Sequence, residues 1–133
     1  MSLEWNDSLA VGHEVIDAQH RELFRHFNQF LAACNQRRGK DELERLLDFL
    51  TEYVIEHFSA EENLMTRTAY PDREAHLVQH RQFRERLAEL RQEMERSGPS
   101  LAVLIHTNKT LLHWLTQHIR HVDTAMARWL ERT

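Results

Sequence analysis

The chain is short of nearly everything that breaks a helix or staples a loop. Three glycines and two prolines in 133 residues leave too few punctuation points for a fold of many short strands, and favour long helices. The one cysteine, Cys34, excludes an internal disulfide and points to a reducing, cytoplasmic compartment. No apolar run approaches the roughly 20 residues that span a bilayer. The start, MSLEWNDSL, carries Glu4 and Asp7 without an apolar core, unlike a signal peptide. Positive charge is not in surplus either: 17 Lys and Arg against 21 Asp and Glu give a net charge of −4. The basic residues are scattered rather than gathered in a stripe, so neither nucleic acid nor a membrane is an expected partner. There is no internal repeat and no low-complexity segment. What the chain has in excess is histidine, ten in all, and that raises the expectation of a metal.

The length, residues 1–133, reads as a single domain able to bury a core without staples. Residues 1–16 read as an irregular arm whose Trp5, Leu9, Val11, Val15 and Ile16 can pack on the rest. A first helix is predicted from about Asp17, a good N-cap or first-turn residue, to about Arg37, with His20, Leu23, Phe24, Phe27, Phe30, Leu31 and Cys34 on one face. A second runs from about Asp41 to Met65 along Leu43, Leu46, Leu47, Leu50, Val54, His57, Glu61 and Leu64. A third follows the turn at Tyr70-Pro71-Asp72, where Pro71 suits a helix start, and runs to about Arg96 along His76, His80, Phe83, Leu87, Leu90 and Met94. The fourth follows Ser97-Gly98-Pro99-Ser100 along Leu101, Leu104, Ile105, Leu111, Leu112, Leu115 and His118. Short turns between long amphipathic helices make neighbours antiparallel. The expected fold is all-α: an antiparallel up-down-up-down four-helix bundle with an N-terminal arm and a short C-terminal helix.

In such a bundle the start of the first helix, the end of the second, the start of the third and the end of the fourth share one end. His20, His57, Glu61, His76, His80, His118 and Asp123 fall at those places. Residues four apart on a helix are offset by only about 40°, so His57 with Glu61, and His76 with His80, point inward together. Asp123 is different. Five residues at about 100° each set it roughly 140° from His118, so a regular helix cannot aim both at one centre. A break, a π-type irregularity or a tight turn is expected between them, followed by a short helix to about Glu131. A lone buried histidine is usually satisfied by ordinary hydrogen bonds. Five with two carboxylates at one end are not, because burying so many polar groups without strong partners costs several kcal/mol, an order-of-magnitude figure. Structural zinc takes four ligands, often thiolates; this set has seven and no cysteine, and imidazole with carboxylate suits iron, as a pair of ions.

These residues resemble the hemerythrin family, in particular its single-domain bacterial members. The resemblance rests on Trp5, Ile16-Asp17-Ala18-Gln19-His20, His57-Phe58-Ser59-Ala60-Glu61-Glu62, Tyr70-Pro71, His76-Leu77-Val78-Gln79-His80, and Trp114-Leu115-Thr116-Gln117-His118-Ile119 ending in Asp123, and it covers nearly the whole chain. It implies two iron ions with an oxo or hydroxo bridge. His76, His80 and His118 would hold one, His20 and His57 the other, with Glu61 and Asp123 bridging. Of about twelve octahedral positions about eleven are then filled, leaving one open beside the two-histidine iron for dioxygen. It implies reversible dioxygen binding for carriage, storage or supply to a protein recipient, and no enzymatic activity. Phe58, Trp114, Leu115 and Ile119, which flank the ligands, are the candidate walls of a dry oxygen pocket, with Leu115 placed to stand over the open position.

His13, His26, His106, His113 and His121 read as surface or partly buried residues, Glu62 as solvated or supporting a ligand, and Trp129 as packing. Two other functions compete. A ferritin-like di-iron oxidase uses Glu-x-x-His pairs, but the residues three before the proposed histidines are Asp17, Val54, Arg73, Leu77 and Leu115, one carboxylate among five. A sensor or scavenger of oxygen, nitric oxide or peroxide would use the same metals.

Overall fold

The structure, a computed structural model, describes Trp5 and residues 9–131. They form a four-helix bundle: α1 (Glu14–Asn35), α2 (Gly39–Thr68), α3 (Arg73–Ser97) and α4 (Leu101–His113). α4 passes without a break into a π-helical segment, Trp114–Asp123, and then into α5, Thr124–Glu131. Among the described residues no helix is long and apolar enough to cross a membrane.

The helix starts differ from the predicted ones for local reasons. α1 begins at Glu14, three residues before Asp17, because the His13 side chain caps it by accepting from Ile16 N–H. Asp17 lies in the first turn, where its carboxylate suits the helix dipole, and its Oδ1 accepts from Val11 N–H at 2.8 Å, tying the arm to the helix. Leu9, Val11 and Ile16 are buried, but Val15 is 52% exposed rather than packed. Trp5 leans on His20 and Phe24. Pro71 sits in the turn rather than opening α3, which starts at Arg73. At the α1–α2 turn the backbones close tightly: a side chain at Gly39 would meet Cys34 Sγ at 2.7 Å. Cys34 is only half-buried there.

The inward faces of α1, α2 and α3 are those read from periodicity. The fourth helix follows its predicted face only in part: Leu111, Leu115 and His118 are buried and Leu104 packs against the core, but Leu101, Ile105 and Leu112 are exposed at 62%, 41% and 38%, and Val103 and Thr107 turn inward instead. Leucine and isoleucine surround this helix, so the pattern alone does not set its phase.

The apolar interior forms two clusters. The larger holds Phe24, Phe27, Phe30, Leu43, Leu47, Leu87, Leu90 and Leu111 along the bundle. The smaller, from Val11, Ile16, Leu64, Met65, Tyr70, Met126 and Ala127, closes one end with Trp129 packed against it. The polar residues predicted to meet belong to neither cluster.

Candidate metal centre

Each helix delivers its share through a different local device. His20 is nearly two turns inside α1, and α2 presents His57 and Glu61 one turn apart. His76 and His80 are one turn apart on α3. The widened helix solves the problem of Asp123: bonds from i to i+5 bring residues five apart onto one face, so His118 Nε2 and Asp123 Oδ1 lie 3.1 Å apart. The irregularity was expected between these two residues; it begins four residues earlier, at Trp114.

All seven side chains predicted from the sequence meet. His20, His57, Glu61, His76, His80, His118 and Asp123 are each no more than 2% exposed. They make two overlapping groups of donors, Glu61 with His76, His80 and His118, and His20 and His57 with Glu61 and Asp123; within each group the donor atoms lie within 4.8 Å of one another. Asp123 spans the groups. Its Oδ1 faces His76 and His118 at 3.0 and 3.1 Å, and its Oδ2 faces His20 at 3.1 Å. Glu61 Oε1 faces His80 at 3.0 Å and its Oε2 faces His20 at 3.9 Å. His20 and His57 approach each other Nε2 to Nε2 at 3.0 Å.

These spacings suit cations. An ion roughly 2.1 Å from each imidazole nitrogen holds neighbouring donors about 3 Å apart. Protonation also favours it. His57 Nδ1–H donates to Gln19 Oε1 at 2.8 Å, and His118 Nδ1–H donates to Gln79 Oε1 at 2.7 Å. Burial lowers the pKa of both rings, outweighing the neighbouring carboxylates, so each is neutral and turns a lone pair on Nε2 toward carboxylate oxygen. Lone pairs facing anions call for a positive ion between them. Burial alone would raise the pKa of Glu61, but His57, His76 and His80 bring it well below the ordinary value. Burial and Glu61 act to raise Asp123, yet His118 and His20 hold it low. Burial likewise acts to lower His20 and His76; Asp123 and Glu61 reverse it and push His76 up to about 10. Glu61 Oε2 and both Asp123 oxygens, though at ion-pair distance from imidazoles, have no aligned hydrogen-bond partner among the described residues. Buried charge of this density is tolerated only when paired or bound to metal.

Around the donors lies a sheath of aromatic rings. Phe58 stacks on His80 at 3.9 Å, Trp114 on His118 at 3.7 Å and Tyr53 on His57 at 4.8 Å. Phe58, Trp114, Leu115 and Ile119 are all buried in the larger apolar cluster. Supporting hydrogen bonds come from three residues. Two of them, Gln19 and Gln79, had no assigned role, although each immediately precedes a histidine of the set. Glu62 is the third: His80 Nδ1–H donates to its Oε2 at 2.9 Å, and Arg84 holds the same oxygen. The five remaining histidines stay outside the donor groups: His13 caps α1, His26 stacks on Phe49, His106 pairs with Glu93, and His113 and His121 are exposed.

A family model described as hemerythrin HHE cation binding domain matches residues 11–130. The chain is 34% identical over 126 residues to a bacteriohemerythrin of Stenotrophomonas maltophilia (strain R551-3), spanning 94% of this chain and 79% of that one. It is 33% identical over 124 residues to a bacteriohemerythrin of Pseudomonas aeruginosa (strain LESB58), spanning 91% and 76%. A myohemerythrin of Sipunculus nudus is 28% identical over 120 residues, spanning 90% and 86%. The match runs through every helix that contributes to the seven-residue cluster, and the chain belongs to the hemerythrin family.

Proposed function

We propose that this protein binds dioxygen reversibly at a two-iron centre, with His76, His80 and His118 on one ion, His20 and His57 on the other, and Glu61 and Asp123 bridging. One observation carries the reading: Asp123 turns its two oxygens toward different imidazole sets, Oδ1 to His76 and His118 and Oδ2 to His20, and Glu61 lies against imidazoles of both sets, the disposition a bridge between two ions requires. When bound, the paired ferrous ions supply the two electrons that reversible dioxygen binding uses.

The rest is the work of side chains. Gln19, Gln79 and Glu62 hold His57, His118 and His80 with the Nδ1 proton outward and Nε2 inward, which fixes ring orientation and strengthens the ring as a donor. Phe58, Trp114, Leu115 and Ile119 keep water from the centre, and a dry surround is what makes binding reversible rather than a route to irreversible oxidation. Histidine-rich donors in this surround support carriage or storage over substrate oxidation. The test is direct: purify the protein, count iron, and follow the visible spectrum as reduced protein is exposed to air and then to vacuum. Two irons per chain and colour that comes and goes are expected. A single zinc, or irreversible conversion to the ferric form, overturns the reading.

A further inference from the structure

Tyr53 lies one turn before His57 on α2 and is 6% exposed. Its ring stacks on the His57 imidazole with an angle of 18° between planes. Its hydroxyl is buried and has no hydrogen-bond partner among the described residues. Hydroxyls are rarely left so, because an unsatisfied buried donor forfeits its bonds to water. The ring it belongs to lies against a member of the cluster, and the negative charges of Glu61 and Asp123 both reach it. Burial first, then those charges, raise its pKa well above the ordinary value.

The side of the cluster on which Tyr53 stands decides its role. Three imidazoles lie toward α3 and the π-helical segment, and two, His20 and His57, toward α1 and α2. The second side has one imidazole fewer, and Tyr53 sits there against His57. The same residue, with His57, Gln19, Val15, Ala18 and Phe49, lines a surface groove of about 530 Å³ between α1 and α2. The donor thus stands between an opening to solvent and the less crowded half of the centre.

We propose that the Tyr53 hydroxyl is the hydrogen-bond donor for a small anionic ligand held at the centre beside His20 and His57, so that it sets how tightly such a ligand is retained. The assignment rests on the two-iron reading above. Oxygen reduced at the centre and inorganic anions share the feature the hydroxyl recognises: a compact, electron-rich terminal atom. Carboxylates at that depth already have imidazole neighbours, whereas the hydroxyl waits for a partner that enters.

Tyr53→Phe removes the oxygen and keeps the ring that packs on His57. Two measurements are made on wild type and variant. The first is the dissociation constant of azide from the iron-loaded ferric protein, titrated in the visible. Loss of a hydrogen bond to a charged acceptor is expected to weaken azide about tenfold or more, at unchanged iron content. The second is the melting temperature of the metal-free protein. Removing an unpartnered donor leaves it unchanged or raises it, whereas a hydroxyl with a structural partner would lower it. Equal azide affinity in the two proteins, or a destabilised metal-free variant, overturns the assignment. So does a phenolate-to-iron band in the azide-free wild type that the variant lacks, since Tyr53 would then be a ligand. If wild type takes up no iron pair, the two-iron reading falls and this assignment with it. If wild type binds two irons and azide while the variant matches it, only the role of Tyr53 falls.

Discussion

Where α1 finishes and α2 begins, Phe30, Leu43, Leu47 and Leu90 pack together as hydrocarbon. At the opposite end, five imidazoles and two carboxylates occupy the same cross-section of the bundle. The first end gains by leaving water, about 1.5–3 kcal/mol for each fully buried large side chain. The second loses by it, because its charges and ring nitrogens give up hydration without full hydrogen-bond compensation. The two share four helices, so the apolar half holds in place a polar half that would not assemble by itself. Capping by Met126, Ala127 and Tyr70 beyond the cluster then keeps the polar half from relaxing toward solvent.

The division can be attacked from either end. Asp123→Ala is expected to have the largest effect: with one bridge removed, loading falls below two irons per chain, read by metal analysis, while far-ultraviolet circular dichroism keeps its helical shape. Retention of both ions in that variant would break the division, because the polar end would not then depend on its carboxylates. Leu47→Ala strikes the apolar end. A cavity at a fully buried leucine should reduce unfolding free energy by about 2–5 kcal/mol in denaturant titration, with iron content unchanged in the folded fraction. Loss of iron before loss of structure would show that the ends are coupled more tightly than their packing implies. Glu62→Ala makes the smallest change. It frees His80 Nδ1 without touching any inward donor, so iron affinity should drop by about 10–100-fold in competition with a chelator. An unchanged affinity would mean that the stack of Phe58 on His80 alone orients the ring.

How far the sequence disclosed this depends on the kind of signal each residue carried. His57 and Glu61, or His76 and His80, announce themselves by a four-residue spacing on an otherwise apolar stripe, and the structure brings them together as read. Asp123 announced a distortion by being five residues from His118, a spacing no α-helix can use. Its beginning at Trp114 left no mark, since Trp114, Leu115 and Ile119 fit a regular helix as well as a wide one. On α4, Leu111 is buried and Leu104 packs on the core as read, but Leu101, Ile105 and Leu112 fit more than one phase, and packing against α2 and α3 turns Val103 and Thr107 inward in their place. Gln19 and Gln79 were hidden by their ordinariness: a glutamine next to a histidine carries no signal until the fold shows which ring it reaches. Tyr53 could have been found. Like Trp114, which the sequence offers as a pocket wall, it lies one helical turn before a histidine of the set, where its ring must cover that imidazole.

The π-helical segment acts on the chain beyond it as a phase shifter. Every wide turn takes in one residue more than an α turn, so the angular count that would run straight from Leu101 to Glu131 slips before α5 begins. Met126 and Ala127 owe their seat against Val11, Ile16 and Leu64 to that slip. Shortening the stretch by a single residue would swing everything downstream by about 100°, carrying Asp123 off axis and uncovering the cap in one step. Between His118 and α5 the chain therefore tolerates no change of length.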